Sequence, residues 1–382
     1  MKHIIYASNS IIPSKSANSI HVCKMAQSLA KLGPKVTLLG IRPHARALGT
    51  DTEFAKFYGV KKDFGLQTFR MRRGLKGLDY LFQLKRYIRK SKPDVVYVRS
   101  VNIALEMTKL NIPVIFECHG DIENNEHNDF IDLLDSKLLL TVVVISEALK
   151  SILLSKYGDK LGRHLIVAHD GVDISRFADN GLPPAHYRHI LGLPERDTAC
   201  YSGHFYKGRG IELILDLAAI HRTTNFLLVG GNPDDVSRYR AISEARKLQN
   251  TIFTGFVPNG ELPDYLKAAD VLLMPYQKKV SISGNRGDTA SWMSPLKMFE
   301  YMATLRPIIS SDLAVLHEVL DEQQCIFCAP DDVAGWSRAI SRLISDGALA
   351  DNLARNAYRN VQHYEWDRRA KCIMERAALC LN

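Results

Sequence analysis

A histidine, two basic side chains set among glycines, and one acid on an apolar helix are the residues whose types and spacing can do chemistry in this chain. His119 directly follows the apolar run PVIFEC. An imidazole at the end of a buried strand can donate or orient hydrogen bonds near neutral pH, or simply be satisfied within the fold. In YSGHFYKGRGIELI, Tyr201 to Ile214, Gly203 ends an apolar run, Lys207 and Arg209 alternate with further glycines, and an apolar helix follows. Glycine admits close backbone approach and a helix start offers free N–H groups, which suits a diphosphate. A tight strand–helix turn with exposed cations would read the same way. In SPLKMFEYMA, Ser294 to Ala303, Leu296, Phe299 and Met302 share an apolar helical face and Glu300 stands among them. Ser294 suits a cap and Pro295 the first turn. A carboxylate at Glu300 can accept two hydroxyls of a sugar or ribose, or pair with Lys297 three residues earlier.

The elements that must position these residues follow one another regularly. Apolar runs at 3–8, 36–41, 94–100, 113–120, 139–146 and 165–173 alternate with helix-like segments. The pattern resumes at 198–205, 225–231, 251–256, 270–276, 306–311 and 324–330. Unbroken Val/Ile/Leu runs indicate strands buried on both faces, and strand–helix–strand repetition indicates parallel sheets. The reading is α/β: two doubly wound domains, 1–185 and 186–365, divided in the Pro- and Gly-rich stretch Ala178 to His189, with a last helix at 366–382. Ligands of such sheets bind at the carboxyl ends of strands near the switch point. Two loops there stand out. Asn9 to Ser19 is rich in small residues and precedes a helix expected near His21–Leu32, and Gln277 to Met293 is unusually long.

Composition narrows the function classes. With 382 residues, 46% hydrophobic, the chain can bury a large core. No apolar run reaches the roughly 18 residues of a membrane span, and the amino terminus reads as a strand rather than a signal peptide. Seven cysteines, an odd number without framework spacing, point to free thiols in a reducing compartment. The lone CxxC, Cys325 and Cys328, lacks a second pair or nearby histidines at metal spacing, so it reads as structural. There is no P-loop, zinc-hydrolase helix or Gly-x-Ser-x-Gly elbow, and no GxGxxG follows the first strand. Net charge is +9, all of it in residues 1–185, which hold 27 lysines and arginines against 18 acids. Nine of those bases lie between Arg70 and Lys92, where Leu78, Leu81, Phe82, Lys85 and Arg89 fall at helical spacing. That segment reads as a solvated helix face or as contact with an anionic membrane surface or acceptor. Nucleic acid is disfavoured because no stacking pattern or binding motif accompanies the charge.

Taken in order, these segments resemble a GT-B glycosyltransferase of glycosyltransferase family 4, over nearly the whole chain. SGHFYKGRGIELI resembles the family's Gly-x5-Lys-Gly segment, with Arg209-Gly210 at the Lys-Gly position. LIVAHDGVDISRF (165–177) resembles its Asn-Gly-Val-Asp signature, with Asp170 for Asn. FTGFVPNGELPDYLKAADVLLMPY (253–276) resembles the stretch that passes the nucleotide base, and SPLKMFEYMATLRPIISSD (294–312) the helix carrying the second acid of Glu-x7-Glu. YEWDRRA (364–370) resembles the start of a last helix that crosses back to the first domain.

The resemblance implies two Rossmann-like domains facing a central cleft. It implies metal-independent, retaining sugar transfer from a nucleotide-sugar (UDP-, GDP- or dTDP-) to a glycan or lipid-linked hydroxyl acceptor, with no cofactor. The setting implied is surface polysaccharide, lipopolysaccharide or glycolipid synthesis, in the cytoplasm or peripheral on the inner face of the membrane. By this match Arg209, assisted by Lys207, meets the diphosphate, Glu300 the ribose, and His119 the transferred sugar. Gly203 lies beside the phosphates, and Gly255, Phe256 and Val257 border the base. Backbone amides of Ser294, Pro295, Leu296 and Lys297 face phosphate or sugar (Pro295 by position only), and Ala17, Asn18 and Ser19 face phosphates or acceptor. Trp292 stands where the family has its first acid, with Asp288 the nearest carboxylate. Ala17-Asn18 replaces a common Gly-Gly, and His204 a common Arg. Two other readings keep these differences in view: a nucleotide-sugar epimerase of GT-B fold, and a catalytically silent sugar-nucleotide-binding subunit.

Overall fold

The computed structural model describes residues 1–43, 50–72, 77–177, 180–282 and 287–380. Its elements run β1 His3–Ile11, α1 Ala17–Lys31, β2 Lys35–Ile41, α2 Asp51–Tyr58, β3 Gly65–Phe69, α3 Leu78–Ser91, β4 Val95–Val98, α4 Val101–Thr108 and β5 Val114–Cys118. Then come α5 His127–Leu134, β6 Leu139–Val144, α6 Glu147–Gly162, β7 Leu165–Val167, α7 Pro184–Ile190, β8 Thr198–Gly203, α8 Ile211–Ile220, β9 Asn225–Gly230 and α9 Pro233–Ala245. The chain finishes with β10 Thr251–Gly255, α10 Leu262–Lys267, β11 Val271–Met274, α11 Leu296–Met302, β12 Ile308–Ser311, β13 Cys325–Cys328, α12 Val333–Ser345, α13 Gly347–Val361 and α14 Trp366–Leu379.

Two compact units result, Met1–Asp170 with Trp366–Asn382, and Gly171–Glu365. The division therefore falls at Asp170, ahead of the Ala178–His189 stretch to which turn composition points. That stretch instead leads into α7, whose Arg188 is buried against Asp270, Glu195 and the Ala268 carbonyl. Among the described residues the first unit forms one parallel sheet ordered β3-β2-β1-β4-β5-β6-β7, and the second one ordered β10-β9-β8-β11-β12-β13. Each sheet reverses direction once, between β1 and β4 and between β8 and β11, and those gaps are where ligands of doubly wound sheets bind.

The strands follow from their sequence. VVYV, VIFEC and LLTVVV are buried at every position, as are VLLM and IISS. Each such Val, Ile or Leu removed from water contributes about 1.5–3 kcal/mol. β3, which periodicity misses, is an edge strand of mixed sequence, GLQTF, with no fully buried residue. The basic helix α3 buries Tyr80, Leu84 and Ile88, whereas Leu78 and Phe82 are each 68% exposed. The face that helical spacing groups together is thus the outward one. Of the basic segment, Arg73 to Lys76 lie outside the described residues.

Candidate active site

In the second unit the chemistry gathers where β8 and β11 part. α11 is tied there by its own tyrosine. The Tyr301 hydroxyl accepts from the Ser202 backbone N–H at 2.7 Å and donates to the Leu273 carbonyl at 3.3 Å, joining the helix to both strands. Pro295 occupies the cap position of α11 and no side chain caps it, so Ser294 is buried but is not the cap. Ser294 and Lys297 are buried, and Pro295, Leu296 and Glu300 half-buried.

Lys297 does not pair with Glu300. Among the described residues its buried Nζ has no hydrogen-bond partner, and it lies 3.7 Å from the Tyr201 ring centre and 5.3 Å from that of Tyr276. Burial first, and then the nearby Arg209 charge, hold its pKa well below the ordinary lysine value. Gly203 explains how it fits. With φ +134°, a side chain there would bring its Cβ to 2.9 Å from Nζ. Arg209 also lies over the Tyr276 ring, 5.2 Å from its centre. One of its nitrogens donates to the Ser281 carbonyl at 3.3 Å, while its buried Nε has no hydrogen-bond partner among the described residues. Two cations thus converge on one aromatic ring, and among the described residues neither is ion-paired to a carboxylate, an arrangement that asks for an anion.

The glycines of KGRG serve a different purpose from the close ligand approach that composition suggests. A Cβ at Gly208 would lie 1.9 Å from the Lys279 carbonyl oxygen. The Gln277 and Ser281 amides donate to the Gly208 and Lys207 carbonyls at 2.9 and 3.1 Å. The glycines therefore zip this turn to the long loop. Lys207 is exposed at the turn, and Asp288 is occupied in holding the loop, accepting from the Val280 and Ala290 amides.

Glu300 has another partner. Asn259 donates to its Oε1 at 3.0 Å and in turn accepts from Arg176 at 2.8 Å. Asn259 lies just beyond Gly255, Phe256 and Val257, which leave the end of β10 half-buried. The stretch that follows β10 and the acid are therefore linked through the Asn259 side chain. Asn259, Arg176 and Tyr276 escaped the sequence reading. Their only signal is an Asn-Gly turn after a strand and a tyrosine at a strand end.

The first unit holds a second polar centre. Ala17, Asn18 and Ser19 are not loop but the first turn of α1, where the Ser16 side chain accepts from the Ser19 amide. Arg99, just after β4, donates to Asn18. His119 leaves the end of β5 with its side chain 22% exposed and its Nε2 on Glu117 Oε1. Glu117 is fully buried, and Tyr97 donates to its other oxygen. Arg369 of α14 reaches the same carboxylate at 3.1 Å, and His21 of α1 lies 2.8 Å from it. The other ring nitrogen of His21 lies 3.0 Å from Asp170. His21, His119 and Asp170 offer atoms within 4.8 Å of one another. Two carboxylates, Glu117 and Asp170, thus gather around the Arg369 guanidinium and the His21 ring. Glu117, His21 and Arg369 were also missed, although an acid inside the apolar run VIFEC is itself the anomaly that announces a buried partner.

Residues 19–176 match the family model "Glycosyltransferase Family 4" and residues 196–346 match "Glycosyl transferases group 1". The chain is 26% identical over 214 residues to the 2-deoxystreptamine glucosyltransferase of Streptomyces kanamyceticus, covering 54% of this chain and 52% of that one. The chain spans about half the length of the curated relatives it matches. Among solved structures it shares its fold with sucrose-phosphate synthase (tll1590) from Thermosynechococcus elongatus, at TM-score 0.75 and 19% identity with both chains covered in full. It also shares it with Anabaena Alr3699/HepE in complex with UDP-glucose, at TM-score 0.75 and 14% identity over 99% of this chain and 100% of that one.

Proposed function

The chain is a group 1/family 4-like glycosyltransferase of GT-B fold, and we propose that it moves a sugar from a nucleotide-sugar to a hydroxyl acceptor with retention of anomeric configuration. The observation that carries this reading is the pair of cations over the Tyr276 ring, whose Lys297 Nζ and Arg209 Nε have no hydrogen-bond partner among the described residues. A diphosphate supplies the charge they lack. Because the leaving diphosphate gains negative charge as the glycosidic bond breaks, two preorganised cations stabilise the transition state more than the ground state. They do the neutralising work that a divalent ion does in other nucleotide enzymes, so the transfer is metal-independent. Glu300, held by Asn259, accepts the ribose hydroxyls, and Gly255, Phe256 and Val257 border the base. His119 meets the transferred sugar. The acceptor is a glycan or a lipid-linked sugar in surface polysaccharide or glycolipid synthesis, in the cytoplasm at the inner face of the membrane. Seven free cysteines, five of them buried, support the reducing compartment.

A thermal-shift screen across UDP-glucose, UDP-galactose, GDP-mannose and dTDP-glucose tests this. UDP-sugars come first because the HepE neighbour was solved with UDP-glucose. Ligand at about a hundred-fold excess over Kd adds about 2.7 kcal/mol of stability, so the donor stands out by several degrees. The shift is lost in Arg209→Ala. No shift with any of the four, or an epimerised sugar formed without acceptor, sinks the reading.

A further inference from the structure

The network around Glu117 fixes more than a fold. When ionised, a carboxylate can only accept hydrogen bonds. Burial alone would raise the Glu117 pKa, but Arg369, His21 and His119 together hold it well below the usual carboxylate range. Its Oε1 atom touches His119 Nε2, so that nitrogen must carry the proton. His119 has only the one proton to place. Burial, and then the Arg99 charge, bring its pKa down to about 4, so near neutral pH the ring is uncharged. Its Nδ1 has no hydrogen-bond partner among the described residues, and the side chain is part-exposed. The ring cannot easily turn away. His21 packs edge-on against it with centres 4.7 Å apart, and Trp366 packs edge-on against His21 at 5.0 Å. Glu117 is itself pinned by Tyr97 and by Arg369, whose Nε donates to the His169 carbonyl at 2.9 Å. The charged and titratable groups facing His119 are therefore Glu117 from β5, His21 from α1, Arg99 beyond β4, and, through Glu117 and His21, Arg369 from α14 and Asp170.

We infer that Glu117 is a positioning residue that holds His119 as its Nε2–H tautomer, so that the side chain meets its ligand through the Nδ1 lone pair and accepts a hydrogen bond from a sugar hydroxyl. The ligand half of this rests on the function proposed above, and the tautomer half does not. The arrangement carries a specificity. A hydroxyl satisfies a bare Nδ1, whereas the carboxylate oxygen of an acidic sugar would place lone pair against lone pair.

Nitrogen NMR of the full chain labelled at histidine, with the His119 signals identified by their loss in His119→Gln, reads the tautomer directly. The expected spectrum near neutral pH has the proton on Nε2 and none on Nδ1. In Glu117→Gln the amide can donate as well as accept, so the two tautomers should mix. With whichever of the four nucleotide-sugars turns over, kcat/KM should fall roughly ten- to a hundred-fold, the worth of one charge-assisted hydrogen bond. The wild-type spectrum decides the point even if that variant does not fold. A proton on Nδ1, a doubly protonated ring near neutral pH, or stoichiometric divalent metal bound by His21, His119 and Asp170 overturns the inference. An Nε2–H ring in a protein that turns over no nucleotide-sugar supports the tautomer and overturns the donor reading instead.

Discussion

A buried lysine whose ammonium lies over aromatic rings, with no hydrogen-bond partner among the described residues, costs the folded protein stability, and that cost is measurable. Folding disfavours the protonated form of Lys297, because its pKa in the folded chain lies well below the 10.5 of an ordinary lysine. The unfolded chain therefore binds more protons between those two values, and stability rises with pH through that window. Lys297→Met removes both the penalty and the slope. The variant should be more stable than wild type at neutral pH by about 1 kcal/mol or more, as when buried charges give way to apolar groups. It should also lose the stabilisation by UDP, which chemical denaturation with and without UDP measures. A variant both less stable and still stabilised by UDP would contradict the role given to Lys297. Part of this site was legible in the sequence and part was not, for a physical reason. Arg209 and Glu300 stand out in short segments of the chain, one among glycines and one on an apolar helix, whereas the Lys297–Tyr201–Tyr276 cage joins residues far apart in sequence. The two readings offered for Glu300, ribose acceptor or partner of Lys297, part company because the lysine turns toward Gly203 and leaves the acid to Asn259.

At the scale of elements, α11 is where sequence pattern and packing agree most closely. Leu296, Phe299 and Met302 read as an apolar face, and Phe299 and Met302 are fully buried. The pattern cannot reveal that Tyr301 ties this face to two strands at once. Tyr301→Phe leaves the Ser202 N–H and the Leu273 carbonyl without that partner in a buried place, and should cost about 1–3 kcal/mol. Because α11 also carries Lys297 and Glu300, the same variant should weaken binding of UDP, read as a smaller thermal shift than wild type. An unchanged shift would mean that the helix is held by its apolar contacts alone. The continuous apolar strands were legible because strands buried on both faces have no polar positions to confuse the count. The first turn of α1 was not, since Ser16-Ala17-Asn18-Ser19 has the composition of a loop and becomes helical through the Ser16 cap.

The molecule as a whole is electrically lopsided. The first unit holds 30 lysines and arginines against 18 acids, and the second 20 against 23. On α3, exposed Leu78 and Phe82 lie beside exposed Arg86, Arg89 and Lys90, around a concavity of about 660 Å³. Among the described residues no helix is long and apolar enough to cross a membrane. Such a face suits the surface of an anionic bilayer, with the rings and aliphatic chains entering the headgroups and the bases held near phosphates. Co-sedimentation at low salt should show binding to vesicles with anionic lipid and little to neutral ones, and Phe82→Ser with Arg86→Glu should abolish it. Equal binding to both vesicle types would refute the surface. The two-unit plan was legible, but its seam was misplaced by fifteen residues, because turn-rich composition marks a loop and not the last side chain belonging to a core. That last side chain, Asp170, has a companion at the far end of the chain: the first unit is completed only by residues from Trp366 onward. On the ribosome, then, the unit made first cannot be the one finished first. Glu117 emerges early and must wait for its guanidinium until residue 369 has been made, while the whole span from Gly171 to Glu365 is synthesised between them.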